Sequence, residues 1–176
     1  MQTKDLTLVP VKREEVLAEV EAMNPADRAH VSADWLARVH ASAAEDPWVH
    51  GFSVVLRGTG AAVGRCGFKG PPDGDGVIEI AYGVDPDHRG KGYATEAAEA
   101  LVSYAFGDPR VRVVRAHTSP EANASTRVLT KCGFRYIGEV TDPEDGLVWR
   151  WERPRDVPAE PGAAPDPARD SGSGSS

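Results

Sequence analysis

The chain has 176 residues, with 20 Lys and Arg against 27 Asp and Glu, and a formal net charge of -7. That length fits one domain, or one domain with a tail, and it allows a sizeable core without disulfides or metal ions. The acidic balance argues against a protein that binds duplex nucleic acid, because such proteins usually carry a basic face. It weakly favours a cationic or amine-bearing partner.

The cysteines and the hydropathy of the chain predict the cellular compartment of the protein. Cys66 and Cys132 form no C-x-x-C pair and have no metal-ligand spacing, so we expect two buried free thiols and no metal site. The N-terminal residues lack the apolar stretch of a signal peptide, and no apolar run approaches the roughly 20 residues of a membrane span. We therefore expect a cytoplasmic protein without a membrane partner.

Hydrophobic periodicity and turn signals divide most of the chain into interleaved strands and helices. In chain order we predict a strand at 6–11, helices at 12–23 and 33–44, strands at 51–56, 61–68 and 77–84, a helix at 93–106, a strand at 111–118, a helix at 124–131, and strands at 134–140 and 147–152. Asn24 and Pro25 end the first helix, Ser32 caps the second, and Gly133 stops the last. This is a mixed α/β order with a strand–loop–helix–strand unit at its centre.

The last stretch, residues 154–176, differs in composition. It consists of Pro, Gly, Ala, Ser and charged residues, and Val157 is its only sizeable apolar side chain. Such a segment cannot bury enough surface to offset the entropy of ordering it. We therefore expect one domain over 1–153 followed by a disordered tail.

The most informative segment is the loop RGKGYA at 89–94, which follows a predicted strand and opens a helix. A helix N-terminus presents backbone N–H groups without intrahelical partners, and the helix dipole is positive there. Gly90 and Gly92 let an anion approach the backbone closely, and Arg89 and Lys91 add positive charge. The segment predicts an anion site that fits a pyrophosphate, although a tight turn without a ligand would have the same sequence. Neither the Walker pattern nor G-x-G-x-x-G is present; the signature is R-x-x-G-x-A.

Two segments together, IEIAYGVDPDHRGKGYATEAAEAL and AHTSPEANASTRVLTKCGF, resemble the GNAT superfamily of acetyl-CoA-dependent N-acetyltransferases. More narrowly, they resemble its RimJ/RimL-type branch, over roughly residues 51–152. The resemblance implies a fold of the α+β class: a mostly antiparallel central sheet of about seven strands with splayed fourth and fifth strands, flanked by about four helices. Dimers are common in that branch, so a homodimer is kept as an option.

The resemblance also implies where acetyl-CoA binds. In the family, the pantetheine arm lies between the splayed strands and the pyrophosphate takes the amides of the loop. The matching cofactor-binding positions here are Tyr82, Gly83, Val84, Arg89, Gly90, Lys91, Gly92, Tyr93, Ala94, Thr95, Asn123, Ser125, Arg127 and Lys131. Helix capping by Thr95 and Asn123, and a solvated helix face for Arg127 and Lys131, are the structural alternatives. This chain reads N-x-S where many relatives read N-x-x-S.

Acetyl transfer needs a neutral amine, and an alkylamine with a pKa of ~10 must first lose a proton. Glu79 is the candidate base, since it lies in the otherwise apolar strand IEIAYGV and some relatives carry a general-base Glu on that strand. A carboxylate that faces water or pairs with an arginine is the alternative. In many relatives a Tyr protonates the leaving thiolate, but the matching position here is Leu129, which has no proton to give. Ser125 is therefore the candidate proton donor. His117 and Tyr136 are other options, or the thiolate leaves unprotonated.

The acceptor pocket is expected between the first two helices and the closing strands. Its candidate lining residues are Trp35, Trp48, His50, Phe68, His117 and Trp149. Core packing for Trp35 and ordinary hydrogen bonding for the two histidines are the alternatives. The predicted function is acetyl transfer from acetyl-CoA to a primary amine, of a small molecule or a protein N-terminus, by direct attack on the thioester. An antibiotic- or polyamine-modifying acetyltransferase and a non-catalytic acyl-CoA-binding module are the competing functions.

Overall fold

A computed structural model describes residues 1–156. The strands are β1 (Leu6–Pro10), β2 (Phe52–Leu56), β3 (Ala62–Phe68), β4 (Val77–Val84), β5 (Val113–Thr118), β6 (Arg135–Asp142) and β7 (Gly146–Pro154). The helices are α1 (Arg13–Ala22), α2 (Pro25–Arg28), α3 (Ala33–Ala41), α4 (Pro47–His50), α5 (Tyr93–Phe106) and α6 (Ala124–Lys131), with a 3₁₀ turn at Pro86–His88. The expected mixed α/β class and seven-stranded sheet are confirmed.

Two of the helices were not expected from the sequence. Both α2 and α4 are single turns that begin at a proline, whose fixed φ suits the first helical position. Asn24 Oδ1 accepts a hydrogen bond from the Asp27 amide at 2.9 Å, and Asp46 Oδ1 accepts one from the Trp48 amide at 3.0 Å. The expectation of about four helices therefore holds for the longer helices and omits these two capped turns.

The strand order is β1-β2-β3-β4-β5-β7-β6, and β4–β5 is the parallel pair in an otherwise antiparallel sheet. The β4–β5 ladder joins Val77 to Val113, Ile78 to Val114 and Glu79 to Arg115. From Ile80 onward β4 pairs with β3 alone within the described residues. The two strands therefore diverge after Glu79, and a gap opens at the middle of the sheet.

Helix α5 packs against β1, β3 and β4, while α1 packs against α3 and reaches β3 through the ion pair of Glu19 with Arg65. Three alanines of α5 and Leu101 are almost completely buried, which lets this helix approach the strands closely. The strand residues beneath it include Ile78, Ile80 and Val114. A smaller cluster of four buried valines packs between α1, α3 and α4. Each fully buried aliphatic side chain contributes about 1.5–3 kcal/mol, so the α5 core stabilises the sheet and the valine cluster holds the smaller helices together.

The folded body extends slightly beyond the predicted boundary at residue 153. Strand β7 runs to Pro154, and Arg155 donates hydrogen bonds to the carbonyls of Phe106, Asp108 and Val111. The Arg155 guanidinium also lies 5.1 Å from the centre of the Phe106 ring. The rest of the predicted disordered tail, 157–176, lies outside the described residues. Among residues 1–156, the structure contains no helix of the length and apolarity that a membrane span requires.

Candidate active site

The first cavity, of about 570 Å³, lies where the end of β4 meets the N-termini of α5 and α6. Its lining includes every predicted cofactor-binding residue except Lys91, which is exposed in the same loop. The structure adds His88, Ala124 and Val128 to this set. The sequence-based list therefore falls on one continuous surface.

The backbone of this cavity is open to an anion. Gly90 and Gly92 have φ values of 75° and 82°, in the left-handed region that favours glycine. A Cβ at either position would meet no atom within 4 Å, so a ligand can approach the peptide groups. Gly92 is the N-cap of α5 and has no side chain to cap it, so the first-turn amides point outward. Arg89 Nε donates to the Val84 carbonyl at 3.0 Å and ties this loop to β4.

Further features of the cavity suit a phosphorylated ligand. Arg127 and Lys131 are exposed along α6 and bring positive charge to its rim. The Nδ1 atom of His88 is buried and has no hydrogen-bond partner in residues 1–156. A buried polar atom without a partner is unusual, and a bound ligand is one way to satisfy it.

The side chains of α6 divide between structural and exposed positions. Asn123 Oδ1 accepts from the Thr126 amide at 3.1 Å, and Thr126 Oγ1 accepts from the Asn123 amide at 3.0 Å. Asn123 therefore caps α6, as in the structural alternative, while it also lines the first cavity. Leu129 is fully buried, so the position where many relatives carry a tyrosine holds a core leucine here.

A second cavity, of about 580 Å³, opens between the diverging strands β4 and β5. Tyr82 and Ser125 line both the first and the second cavity and therefore mark the place where they meet. Burial raises the pKa of Tyr82 to about 12. The Tyr82 hydroxyl is consequently neutral at physiological pH and able to donate a hydrogen bond.

Glu79 lies in the second cavity at the centre of a network of charged and polar groups. Its Oε1 atom is 2.9 Å from His117 Nδ1 and 2.9 Å from Lys69 Nζ. Arg150 Nε donates to His117 Nε2 at 3.2 Å. Because a guanidinium only donates, His117 Nε2 must accept, and the ring proton is assigned to Nδ1, which donates it to Glu79. Both contacts fall on Oε1, so Oε2 is the oxygen that can face a ligand.

Lys69 joins a second carboxylate to this network. Its Nζ atom is 3.7 Å from Asp145 Oδ2, at the turn between β6 and β7. Burial acts to lower the pKa of Lys69, but the hydrogen bond and negative charge of Glu79 outweigh it, so the pKa lies above its usual value. Lys69 therefore stays an ammonium. Sequence reasoning missed Lys69, Arg150 and Asp145, because the pairing of β3 with β4, the pairing of β5 with β7 and the turn between β6 and β7 bring them near Glu79.

A third cavity, of about 290 Å³, lies between the sheet and the helices α3 and α4. It is lined by three of the predicted acceptor residues, namely Trp35, His50 and Phe68. His117, the fourth, lines the second cavity instead.

The two remaining predicted acceptor residues pack in aromatic clusters. Trp48 lies 4.8 Å from Phe68 and 5.2 Å from Tyr104, measured between ring centroids. Trp149 lies 5.2 Å from the Tyr136 ring, and its Nε1 donates to Glu139 at 3.2 Å. These contacts give both tryptophans a packing role. Tyr136, an alternative proton donor, is half exposed on the edge strand β6.

Both cysteines are free and buried. Burial raises the pKa of Cys66 to about 12 and that of Cys132 to about 11. Since the thiolate is the nucleophile, thiols with such pKa values are unreactive at neutral pH. Cys66 lines the third cavity and serves as part of its wall.

Comparison with known proteins identifies the family. A protein-family model described as "Acetyltransferase (GNAT) domain" matches residues 5–135. Curated relatives include the uncharacterized N-acetyltransferase p20 of Bacillus licheniformis, 32% identical over 53% of this chain and 52% of its own length. Another is the uncharacterized N-acetyltransferase YjdG of Bacillus subtilis, 35% identical over 51% of each chain. The chain thus spans about half the length of the curated relatives it matches.

Solved structures agree on the fold. A GNAT-family acetyltransferase from Bacillus anthracis superposes with a TM-score of 0.61 at 24% identity, covering 88% of this chain and 97% of that one. The aminoglycoside acetyltransferase AAC(6')-Ib, in complex with coenzyme A and kanamycin, superposes with a TM-score of 0.59 at 25% identity, over 85% and 95% of the two chains. Because the family match covers more than half of the chain, this protein belongs to the GNAT acetyltransferase family.

Proposed function

We propose that this chain transfers an acetyl group from acetyl-CoA to a primary amine. One observation carries the proposal: the anion-binding first cavity meets, at Tyr82 and Ser125, the second cavity that contains Glu79. A cofactor site and a proton acceptor thus share one continuous space. The family match and the coenzyme A complexes of the structural neighbours support the same conclusion.

The residues of the first cavity fit coenzyme A. The amides around Gly90 and Gly92 and the charges of Arg89 and Arg127 would hold the phosphates. The free edge of β4 at Gly83 is exposed, and a Cβ there would meet nothing within 4 Å, so an extended amide-containing arm has room to pair with it. When bound, acetyl-CoA supplies an acetyl thioester, whose carbonyl carbon is the point of amine attack.

Glu79 performs the proton transfer in this proposal. Its Oε2 atom takes a proton from the attacking ammonium, directly or through one water molecule, and leaves a neutral nucleophile. His117 and Lys69 both hold Oε1, so they fix the orientation of the carboxylate. The thiolate leaves as the C–S bond breaks, and Ser125, which lines both cavities, is the candidate donor of a proton to it.

Two finer assignments belong to the same proposal. The N-x-S sequence at 123–125 also occurs in the RimJ/RimL-type branch, which includes enzymes that acetylate the N-termini of ribosomal proteins, so a protein N-terminus is the first candidate acceptor. A cationic aminoglycoside is the second candidate acceptor, since the neighbour AAC(6')-Ib is found with kanamycin and Glu79 and Asp145 both line the second cavity. The panel of amines described next distinguishes a protein N-terminus from an aminoglycoside as the acceptor.

The test is release of free thiol from acetyl-CoA across a panel of amines: amino-acid amides, N-terminal peptides, spermidine and kanamycin. On the accepted class, Glu79→Gln should lower kcat/KM by about 10²- to 10⁴-fold, the usual contribution of a general base. Acetyl-CoA affinity should change by less than about twofold, because Glu79 lies outside the first cavity. Glu21→Gln, an exposed carboxylate on α1, is the matched control and should behave as wild type.

Two outcomes would count against the proposal. Wild-type turnover in Glu79→Gln would remove Glu79 as the base while leaving the acetyltransferase activity. Tight acetyl-CoA binding without thiol release on any amine would favour a non-catalytic acyl-CoA-binding module.

A further inference from the structure

The second and third cavities adjoin each other at Ala81. This residue lies near the middle of the sheet on β4, yet it is exposed, and it lines both cavities together with Tyr82. An exposed alanine on an inner strand means that no segment of residues 1–156 covers this spot. The two cavities therefore form one groove with Ala81 as its floor.

Small residues create the third cavity. Gly67 on β3 pairs directly with Ala81 on β4, so neither strand projects a large side chain here. Gly67 is required by packing, because a Cβ at this position would lie 2.7 Å from the Gly51 Cα. Ala81, unlike Gly67, can be replaced by a larger residue, whose side chain would fill the groove.

The walls of the third cavity are apolar and fixed. The Trp35 indole donates from Nε1 to the Val49 carbonyl at 3.1 Å, which holds the ring in one orientation. Phe68 closes the end of this wall with its backbone, because its ring is buried against Trp48 and Tyr104. His50 contacts Ser42 Oγ at 2.7 Å through Nε2 and the Val11 carbonyl at 3.1 Å through Nδ1.

The polar groups of this wall thus have partners within the protein. Arg65 at the rim is also paired, with Glu19 at 2.9 Å. What the third cavity offers a ligand is apolar contact. The second cavity, in contrast, presents the charged groups of Glu79, Lys69 and Asp145.

We propose that the acceptor is a primary amine with an aromatic or large aliphatic group a few atoms from its nitrogen. This inference rests on the proposed function, since it places the amine at Glu79 and the apolar group over Ala81, against Trp35. Glu79 and Ala81 are two residues apart on one face of β4, or about 7 Å, which limits the spacing between the two groups. Polyamines and aminoglycosides, whose charges Asp145 would favour in the second cavity, would also place charge in the third cavity, whose lining has no acidic side chain.

The test uses four amino-acid amides that share the amine and differ in side chain: glycinamide, alaninamide, leucinamide and phenylalaninamide. Thiol release from acetyl-CoA should give a kcat/KM at least about tenfold higher for phenylalaninamide than for glycinamide, which corresponds to about 1.4 kcal/mol. Ala81→Leu should bring that ratio to within about threefold of unity by filling the groove. Ala62→Leu, an exposed alanine on β3 that lies outside the three cavities, is the matched control and should keep the preference.

Trp35→Leu provides an independent variant if Ala81→Leu does not fold, and it should also reduce the preference. Equal turnover of all four amides, or a preference that survives in both variants, would overturn the inference while the acetyltransferase activity stands. A strong preference for spermidine or kanamycin would overturn it as well. Absence of thiol release with every amine would instead overturn the proposed function on which the inference rests.

Discussion

Replacing His117 with phenylalanine should slow catalysis without weakening acetyl-CoA binding. His117 Nδ1 donates to Glu79 Oε1 at 2.9 Å, and His117 does not line the first cavity. Phenylalanine keeps the bulk of the ring but cannot donate. Lys69 would then hold Oε1 alone among the described residues, and it would draw the carboxylate toward Asp145. Glu79 would spend less time in the orientation that accepts a proton from the amine.

The expected size of this effect follows from the burial of the pair. The His117 side chain is 7% exposed and that of Glu79 is 20% exposed, so solvent screens their hydrogen bond only in part. A hydrogen bond to a charged group contributes about 1.5–3 kcal/mol, and about 1.4 kcal/mol corresponds to a tenfold change in rate. We therefore expect kcat to fall by about 10- to 150-fold, while KM for acetyl-CoA stays within about twofold.

Steady-state thiol release on one accepted amine measures both constants. The matched control is Arg150→Gln, which removes the donor to His117 Nε2 but leaves the hydrogen bond between His117 and Glu79. It should lose less than about fivefold in kcat. A His117→Phe protein that melts like wild type and keeps more than half of its kcat would refute the idea that His117 positions Glu79.

Three further predictions concern the cysteines, the core and the rim of the first cavity. At about pH 8, iodoacetamide should modify Cys66 about 1000-fold and Cys132 about 100-fold more slowly than a thiol of ordinary pKa, as followed by mass spectrometry, because burial raises their pKa values to about 12 and about 11. Fast labelling with loss of activity would contradict their assignment to the core. Leu129→Ala should lower the free energy of unfolding in urea by about 2–5 kcal/mol, since Leu129 of α6 is fully buried in the core, and a loss below about 1 kcal/mol would show that the site is loosely packed. The double variant Arg127→Gln and Lys131→Gln should weaken acetyl-CoA binding by about 2- to 30-fold in calorimetry. That loss should shrink in about 0.5 M salt, and a salt-independent loss would argue against a charge contact.

The parts of the fold that the sequence predicts well are those with a local signal. Helix α5 and strand β4 have the predicted bounds, 93–106 and 77–84. The apolar spacing and the flanking glycines that determine these bounds lie within or next to the element itself. The predicted cofactor-binding residues other than Lys91 line the first cavity, and their prediction came from the motifs in its loop and at the start of α6. The single-turn helices α2 and α4 escaped prediction because their signals are only a capping side chain and a proline.

The network around Glu79 depends on long-range register and had no local signal. Glu79 pairs with Arg115 across the parallel ladder, which brings His117, two residues further along β5, to the same face. Arg150 reaches His117 because β7 lies between β5 and β6, so the two residues stand opposite each other. Trp48 was expected to contact the acceptor, but the choice between a binding surface and an aromatic core depends on the position of Tyr104 more than 50 residues later.

The measurement that bears most directly on acetyl-CoA binding is a titration of the ¹⁵N-labelled chain with acetyl-CoA, followed by amide chemical shifts. We predict that the largest changes fall on the loop amides of Gly90 and Gly92, on the first turn of α5, and on Gly83 at the free edge of β4. The Gly67 amide in the third cavity should move much less, because it lies on the acceptor side. Largest changes at Gly67 with an unperturbed loop at 89–95 would contradict the proposed acetyl-CoA site.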